Sequence, residues 1–241
     1  MSQNDFRFKQ FTVRQDRCAM KVGTDGVLLG AWTQPGNART VLDLGTGTGL
    51  IALMIAQKSN AVIDAIDIDK PATEQAEENF CLSPWAGRLN SIHESIQLYS
   101  EQTTRRYDLI VSNPPYFMGA HPAPDEARNV ARHMDDSLSI EELTACVKKL
   151  LEPHGRFCVI LPFMEGMKFL EYAETHGLFA NHLTKVKTKS DKTEKRLMME
   201  FELVRKSMTE DELTIQEADD TYTDQYIQLT KDYYVGLPKK R

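Results

Sequence analysis

The sequence is poor in cysteine and has no long apolar run. Its four cysteines are scattered without a CxxC pair, so neither a disulfide framework nor a metal site is expected. Cys146 and Cys158 lie within apolar stretches and are expected in the core. No run reaches the length of a membrane-spanning helix, and the N-terminus has no apolar segment typical of a signal peptide. These absences favour a protein of the reducing cytoplasm without a membrane partner.

An excess of positive charge is also missing. The chain has 29 Lys and Arg against 35 Asp and Glu, a formal net charge of −6, whereas nucleic-acid-binding domains are usually basic. The charges are unevenly distributed, however, and distribution matters more than the sum. Basic residues concentrate in 7–21 and 185–196, and acidic residues in 74–78 and 210–220. The basic clusters are either solvated faces or contacts to a phosphate backbone.

Neither an internal repeat nor a low-complexity linker interrupts the 241 residues, 41% of which are hydrophobic, enough for one sizeable core. Short apolar runs typical of parallel strands buried on both faces occur at 41–44, 61–66, 109–112 and 157–161. Helical periods lie between them, at 50–57, 72–80 and 140–151. This alternation predicts an α/β fold with a doubly wound, mostly parallel sheet.

The pattern changes in the last third of the chain. Two strand-like runs, 179–187 and 197–205, flank a charged turn and predict an antiparallel hairpin at one edge of the sheet. Four tyrosines after Thr221 lie on a predicted short helix and are expected to pack the tail onto the domain. The chain is therefore interpreted as one domain, 1–241. It has an N-terminal leader or lid (1–39), a core (40–205) and a C-terminal tail packed on the core (206–241).

Three glycines at alternate positions, Gly45, Gly47 and Gly49, follow the first core strand, with Asp43 just before them. Glycine lets the backbone turn sharply and approach a ligand closely, and ligands bind at this end of the strands in open α/β sheets. The spacing differs from the GxGxxG of dinucleotide-binding folds. The next strand ends near Asp67, whose carboxylate can accept hydrogen bonds from both ribose hydroxyls of an adenosine.

This combination resembles the class I S-adenosylmethionine-dependent methyltransferases. The resemblance implies that the glycine loop holds the methionine part of the cofactor and that Asp67 holds its ribose. A nicotinamide-binding domain and a glycine turn without a ligand are the alternatives at this point.

A second motif, Asn113-Pro114-Pro115-Tyr116, follows the strand at 109–112. Each proline fixes φ and restricts the residue before it, which predicts a rigid loop. The Asn113 side-chain oxygen and the Pro114 carbonyl can accept the two N–H bonds of an exocyclic amino group, and Tyr116 can stack on a base. The motif resembles loops of methyltransferases that act on adenine N6, guanine N2 or a glutamine amide. The structural alternative is an ordinary Pro-Pro turn.

The leader mixes aromatic and basic residues and contains Lys21-Val-Gly-Thr24-Asp25-Gly26 before an apolar helix. Thr24 and Asp25 are candidates for the helix N-cap. The segment either covers the sheet or forms a lid that places Lys21 and Thr24 near the carboxylate of the cofactor.

With these residues the chain resembles the bacterial tRNA1(Val) (adenine-37-N6)-methyltransferases along nearly its whole length. The shared features are the Phe-Lys-Gln-Phe leader, the Lys21–Trp32 segment, Leu-Asp-Leu-Gly-Thr-Gly-Thr-Gly, Asn-Pro-Pro-Tyr-Phe and the tyrosine-rich tail. The resemblance implies a seven-stranded Rossmann-like sheet, S-adenosylmethionine as cofactor and N6 of adenine 37 in a tRNA as methyl acceptor. It implies catalytic roles for Asn113, Pro114, Pro115 and Tyr116. The implied cofactor contacts are Lys21, Thr24, Asp43, Gly45, Gly47, Gly49, Asp67, Ser95 and Asn113.

One stretch departs from the family pattern. Relatives carry an acid that contacts the cofactor's adenine in a sequence like Ala-Asp-Ile-Gln, whereas this chain has Glu94-Ser95-Ile-Gln. Ser95 takes the place of the acid, and a serine is expected to hold the adenine amino group more weakly.

Three other functions are compatible with parts of the pattern. A glutamine N5-methyltransferase of release factors shares both motifs but has a helical domain before them, for which too few residues precede the glycine loop here. The second alternative is another RNA amino-methyltransferase, which only the match of the leader argues against. The third is a catalytically idle RNA-binding module, which would not need to bind S-adenosylmethionine. The loop 117–137 either flanks the RNA or is an ordinary surface loop, and the sequence carries no feature that sets an oligomeric state.

Overall fold

The computed structural model describes residues 5–18, 20–114 and 138–236. The strands in these ranges are β1 (Asp5–Arg7), β2 (Thr12–Arg14), β3 (Thr40–Leu44), β4 (Val62–Asp67), β5 (Leu89–His93), β6 (Tyr107–Ser112), β7 (Leu151–Pro162), β8 (Phe179–Lys189), β9 (Glu194–Glu202) and β10 (Thr209–Gln216). The α-helices are α1 (Thr24–Trp32), α2 (Leu50–Gln57), α3 (Lys70–Cys81), α4 (Ile96–Gln102), α5 (Ile140–Leu150), α6 (Phe163–Thr175) and α7 (Asp224–Thr230). In the described residues no helix has the length and apolar character needed to span a membrane.

One eight-stranded sheet, in the order β10-β8-β9-β7-β6-β3-β4-β5, forms the centre of the fold. β9 is antiparallel to both of its neighbours, and the remaining strand pairs are parallel. The small antiparallel sheet β1–β2 lies in the leader. The predicted α/β class and mostly parallel sheet are confirmed.

Two details of the predicted sheet are wrong: the described residues form eight strands of it rather than seven, and the hairpin β8–β9 does not form its edge. Residues 209–216, which the sequence pattern places in the tail, pair in parallel with β8 as the edge strand β10. Acidic residues of β10 form ion pairs with lysines of β8, Lys185 with Glu210 and Lys187 with Glu212. The acidic residues of β10, which the sequence alone suggests are solvated, are thus paired with basic residues of β8.

The strands alternate their side chains between two apolar clusters, as a sheet covered on both faces requires. Leu109 and Val111 belong to the cluster under α1, α2 and α7. Ile110, between them, belongs to the cluster under α5 and α6. Cys158 lies fully buried in the first of these clusters, and Cys146 on α5 is also buried, as predicted.

The leader and the tail pack against each other. Phe8 forms an antiparallel bridge with Tyr234, and the centroids of their rings lie 5.9 Å apart. Tyr233 donates its hydroxyl to the Met54 carbonyl of α2 at 3.2 Å. These contacts pack Tyr233 and Tyr234 onto the domain.

Candidate active site

The strand register brings the predicted site residues to one edge of the sheet. Leu44, the last residue of β3, pairs with Ile66 on one side and with Ser112 on the other. Because the three strands are parallel, the residues that follow the paired positions emerge side by side. These residues are Gly45, Asp67 and Asn113.

The glycine loop presents bare backbone to a cleft. Gly45 has φ +69° and Gly47 has φ +54°, and a Cβ atom added to either residue would meet none of the described residues within 4 Å. Left-handed backbone of this kind favours glycine. The amides of Gly45 and Thr46 both donate to the Ile66 carbonyl, at 2.9 and 3.1 Å. The loop is therefore fixed to β4 with its open side toward the cleft.

Gly49 has a different role from the other two glycines. It also has a positive φ, but a Cβ atom there would lie 2.5 Å from Cε1 of Phe80. The missing side chain lets the loop pack tightly on α3 (Lys70–Cys81), and Gly49 does not line the cleft.

Asp43 supports the loop from behind and does not line the cleft either. It is fully buried, and its Oδ2 accepts hydrogen bonds from Thr46 Oγ1 at 2.7 Å and from the Ala52 amide at 3.1 Å. Its Oδ1 is buried with no hydrogen-bond partner in the part of the chain that the structure describes. Burial raises the pKa of Asp43 to about 7, although the two hydrogen bonds act in the opposite direction.

Asp67 lies at the cleft and joins the glycine loop to the next turn. Its Oδ2 accepts from the Gly47 amide at 2.8 Å, and its Oδ1 accepts from the Asp69 amide at 2.9 Å. A carboxylate oxygen has two lone pairs, so each oxygen can accept one further hydrogen bond from a ligand hydroxyl. Burial raises the pKa of Asp67, while the hydrogen bonds from backbone amides lower it.

Asn113 and Pro114 are placed at the cleft by the end of β6. Ser112, just before them, donates its hydroxyl to the Leu44 carbonyl at 3.0 Å, which ties β6 to β3. The Asn113 side chain is half-buried, and no described residue hydrogen-bonds to its amide, so its oxygen and nitrogen can bond to a ligand. Pro115 and Tyr116, predicted to be catalytic, lie outside the described residues, as does the loop 117–137.

Glu94 and Ser95 line the cleft beside Asp67. The Glu94 amide donates to the Asp67 carbonyl at 3.1 Å. Ser95 is the N-cap of α4 (Ile96–Gln102): its Oγ accepts from the Leu98 amide at 3.2 Å, and its own amide donates to Glu94 Oε1 at 3.0 Å. The serine hydroxyl therefore caps the helix with one of its two lone pairs, whereas Glu94 brings a carboxylate with more acceptor capacity.

Lys21 and Thr24 also line the cleft, but the predicted capping is wrong. Gly23 is the N-cap of α1, and no side chain among the described residues caps the helix. Asp25 instead accepts a hydrogen bond from Nε of Arg196 at 2.7 Å, because a guanidinium is a stronger partner for a carboxylate than a backbone amide. This ion pair joins α1 to the start of β9 (Glu194–Glu202).

All these cleft residues surround one continuous cavity of about 1280 Å³, larger than the roughly 300–1,000 Å³ usual for a small-molecule site. The sequence did not predict its far end, which is formed by residues of β8, β9, β10 and the tail, among them Thr188, Lys195, Gln216 and Tyr222. These residues lie at least 70 positions after Asn113, and no local pattern marks them as neighbours of the site.

Comparisons with known proteins agree with this geometry. The family described as "Methyltransferase small domain" matches residues 22–168. A curated tRNA1(Val) (adenine(37)-N6)-methyltransferase of Trichodesmium erythraeum is 47% identical over 98% of this chain and 99% of its own length. One of the same name from Bacteroides fragilis is 45% identical over 98% of this chain and all of its own length. The chain belongs to this methyltransferase family.

The methyltransferase domain match covers the glycine loop, Asp67, Ser95 and Asn113, but it ends before the far end of the cavity. Among solved structures, a predicted O-methyltransferase from Agrobacterium tumefaciens superposes with a TM-score of 0.69 over 87% of this chain and 96% of its own. At 15% identity this likeness supports the methyltransferase fold alone.

Proposed function

We propose that this chain transfers a methyl group from S-adenosylmethionine to N6 of an adenine in tRNA. The observation that carries the proposal is the position of the Asn113 amide, without a partner among the described residues, on the same cleft as the glycine loop and Asp67. The relatives' names give adenine 37 of tRNA1(Val) as their acceptor, which supports the same acceptor here, and a tRNA substrate supports a cytoplasmic location.

The residues of the cleft fit the cofactor. Gly45 and Gly47 leave open the space that Cβ atoms would fill, which suits the methionine part, and the remaining lone pairs of Asp67 suit the two ribose hydroxyls. Lys21 supplies a positive charge for the carboxylate of the methionine part, and Thr24 also lines the cleft. When bound, the cofactor supplies an electrophilic methyl group on a sulfonium.

The acceptor nitrogen needs positioning more than it needs a base. The lone pair of adenine N6 is delocalised into the ring, so the nitrogen is a weak nucleophile. The Asn113 side-chain oxygen and the Pro114 carbonyl accept its two N–H bonds and hold it in place for transfer. The nitrogen acidifies as it gains the methyl group and releases one proton to water. The adenine leaves its stack to enter the cleft, and Tyr116 is proposed to stack on it.

The test compares acceptors. Purified full-length protein is incubated with methyl-labelled S-adenosylmethionine and either an unmodified tRNA1(Val) transcript or a peptide release factor. Label in the tRNA, recovered as N6-methyladenosine, supports the proposal. Label only in the protein overturns it and assigns the chain to glutamine methylation. A chain that binds S-adenosylmethionine but labels neither acceptor also contradicts it.

A further inference from the structure

The far end of the cavity differs in charge from the end that fits the cofactor. Asp67, Asp69, Glu94 and Glu142 line the first end together with Lys21, and this net negative lining suits a ligand with a sulfonium and an ammonium group. Lys195 and the Arg196–Asp25 ion pair line the far end, together with Tyr222. Because Asp25 offsets the charge of Arg196, Lys195 is the cation offered there, and a lysine beside an aromatic ring suits the phosphate and base of a nucleotide.

Lys195 is distinguished from the other lysines of its hairpin. Lys187 is paired with Glu194 and Glu212, and Lys189 with Asp220. Lys192, on the turn, is paired with Asp191. The Lys195 side chain is exposed and has no ion pair with any residue that the structure describes. The positive charge available to a phosphate is therefore located at the cavity rather than along β8.

The aromatic wall is held in a fixed position. Tyr222 is half-buried, and its ring stacks on that of Tyr226 with centroids 5.0 Å apart. An antiparallel bridge joins Tyr222 to Gln216 at the end of β10, and the Ser190 amide donates to the Gln216 carbonyl at 3.0 Å. The tail, the last sheet strand and the hairpin turn thus form one preformed surface.

This surface lies at the same edge of the sheet as Asn113. Arg196 of β9 pairs with Pro162, the last residue of β7 (Leu151–Pro162), and β7 is the neighbour of β6. The start of β9 is two strand spacings from the end of β10, next to Tyr222, and likewise two spacings, about 10 Å, from the end of β6. Adjacent nucleotides of a single strand can span this distance.

We propose that the far end of the cavity is a subsite for an RNA nucleotide next to the methylated adenine, with its base on Tyr222 and its phosphate at Lys195. The inference rests on the proposed function, since it takes the RNA as substrate. A side chain that touches only the flanking nucleotide changes RNA binding and leaves cofactor binding unchanged.

The test measures binding of an unmodified tRNA1(Val) transcript to full-length protein by fluorescence anisotropy at several salt concentrations. Variants are Lys195→Ala, Tyr222→Leu, Tyr222→Phe and, as the matched control on the same hairpin, Lys192→Ala. We expect Lys195→Ala and Tyr222→Leu each to weaken binding about tenfold. Lys195→Ala also reduces the salt slope by about one. Tyr222→Phe keeps a stacking ring and binds like wild type, as does Lys192→Ala.

Two controls separate the outcomes. S-adenosylmethionine affinity and the thermal midpoint show whether a variant has lost its fold. Folded Lys195→Ala and Tyr222→Leu proteins that bind the tRNA within about twofold of wild type overturn the subsite, since a stacking contact contributes about 1–3 kcal/mol. Wild type that binds the tRNA without methylating it overturns the proposed function, and the comparison of variants still decides the subsite. Wild type that does not bind the tRNA overturns both.

Discussion

The carboxylate of Asp67 accepts a 2.8 Å hydrogen bond from the backbone amide of Gly47, twenty positions earlier in the chain. This contact joins the ends of β3 and β4, so the residue proposed to hold the ribose also fixes the loop proposed to hold the methionine part. The two halves of the cofactor site are therefore one unit.

Replacement of Asp67 by alanine removes both the ribose acceptor and the bond to Gly47. Hydrogen bonds to charged groups contribute about 1.5–3 kcal/mol each, so loss of the two ribose bonds is expected to weaken S-adenosylmethionine binding by at least about 100-fold, as measured by calorimetry. Asp67→Asn keeps one acceptor oxygen and should lose less. Unchanged affinity in Asp67→Ala would show that Asp67 does not contact the cofactor.

A methyl group at Gly45 is expected to block the cofactor, because its φ of +69° is strained for alanine and the new Cβ projects into the cleft. Gly177→Ala is the matched control: its φ is +75°, but it lies on the turn after α6, away from the cleft. Each variant should lose about 1–2 kcal/mol of stability, while only Gly45→Ala should lose cofactor binding. Equal binding by the two variants would refute a ligand role for this glycine.

The buried Asp43 predicts a specific pH dependence of stability. Its pKa of about 7 in the folded protein lies above the ordinary value of 3.8, so the folded state holds a proton that the unfolded state releases. This stabilisation is complete below about pH 4 and is lost as pH rises through about 7. The amide that replaces the carboxyl group in Asp43→Asn does not titrate. The free energy of unfolding, measured with denaturant, should therefore rise in Asp43→Asn relative to wild type by on the order of 3 kcal/mol between about pH 4 and pH 8. Parallel curves would contradict the raised pKa.

Glu94 and Ser95 are expected to have different roles: Glu94 contacts the cofactor, and Ser95 caps α4. Ser95 Oγ already accepts from the Leu98 amide, so Ser95→Ala is expected to cost about 0.5–2 kcal/mol of stability with little change in cofactor affinity. Glu94→Ala should weaken S-adenosylmethionine binding more than Ser95→Ala does. The reverse order of affinities would assign the adenine contact to the serine.

The parts of the site that the sequence predicts depend on local pattern and on parallel pairing. The apolar runs before Gly45 and Asn113 identify strands, and parallel strands bring their carboxyl ends together. Contacts between distant segments have no such signature. The sequence offers Asp25 as a helix cap because nothing local marks Arg196, its partner 171 positions away.

The same limit explains the missed edge strand. The segment Thr209–Gln216 is rich in acid and has low intrinsic preference for a strand, so its sequence alone favours a place in the tail. It becomes β10 because Lys185 and Lys187 of β8 supply opposite charge. Lys185 and Lys187, two of the lysines that the sequence offers to RNA, are thus used within the sheet.

The most direct test of the account is nucleoside mass spectrometry of unmodified tRNA1(Val) after incubation with S-adenosylmethionine and either wild type or Asn113→Ala. We predict N6-methyladenosine with wild type and none above background with Asn113→Ala, because the amide positions the acceptor nitrogen. Both proteins are compared at saturating S-adenosylmethionine, so that a weaker cofactor contact in Asn113→Ala does not by itself remove the product. N6-methyladenosine formed at the same rate by Asn113→Ala, or absent with a wild-type protein that binds the cofactor, would contradict it.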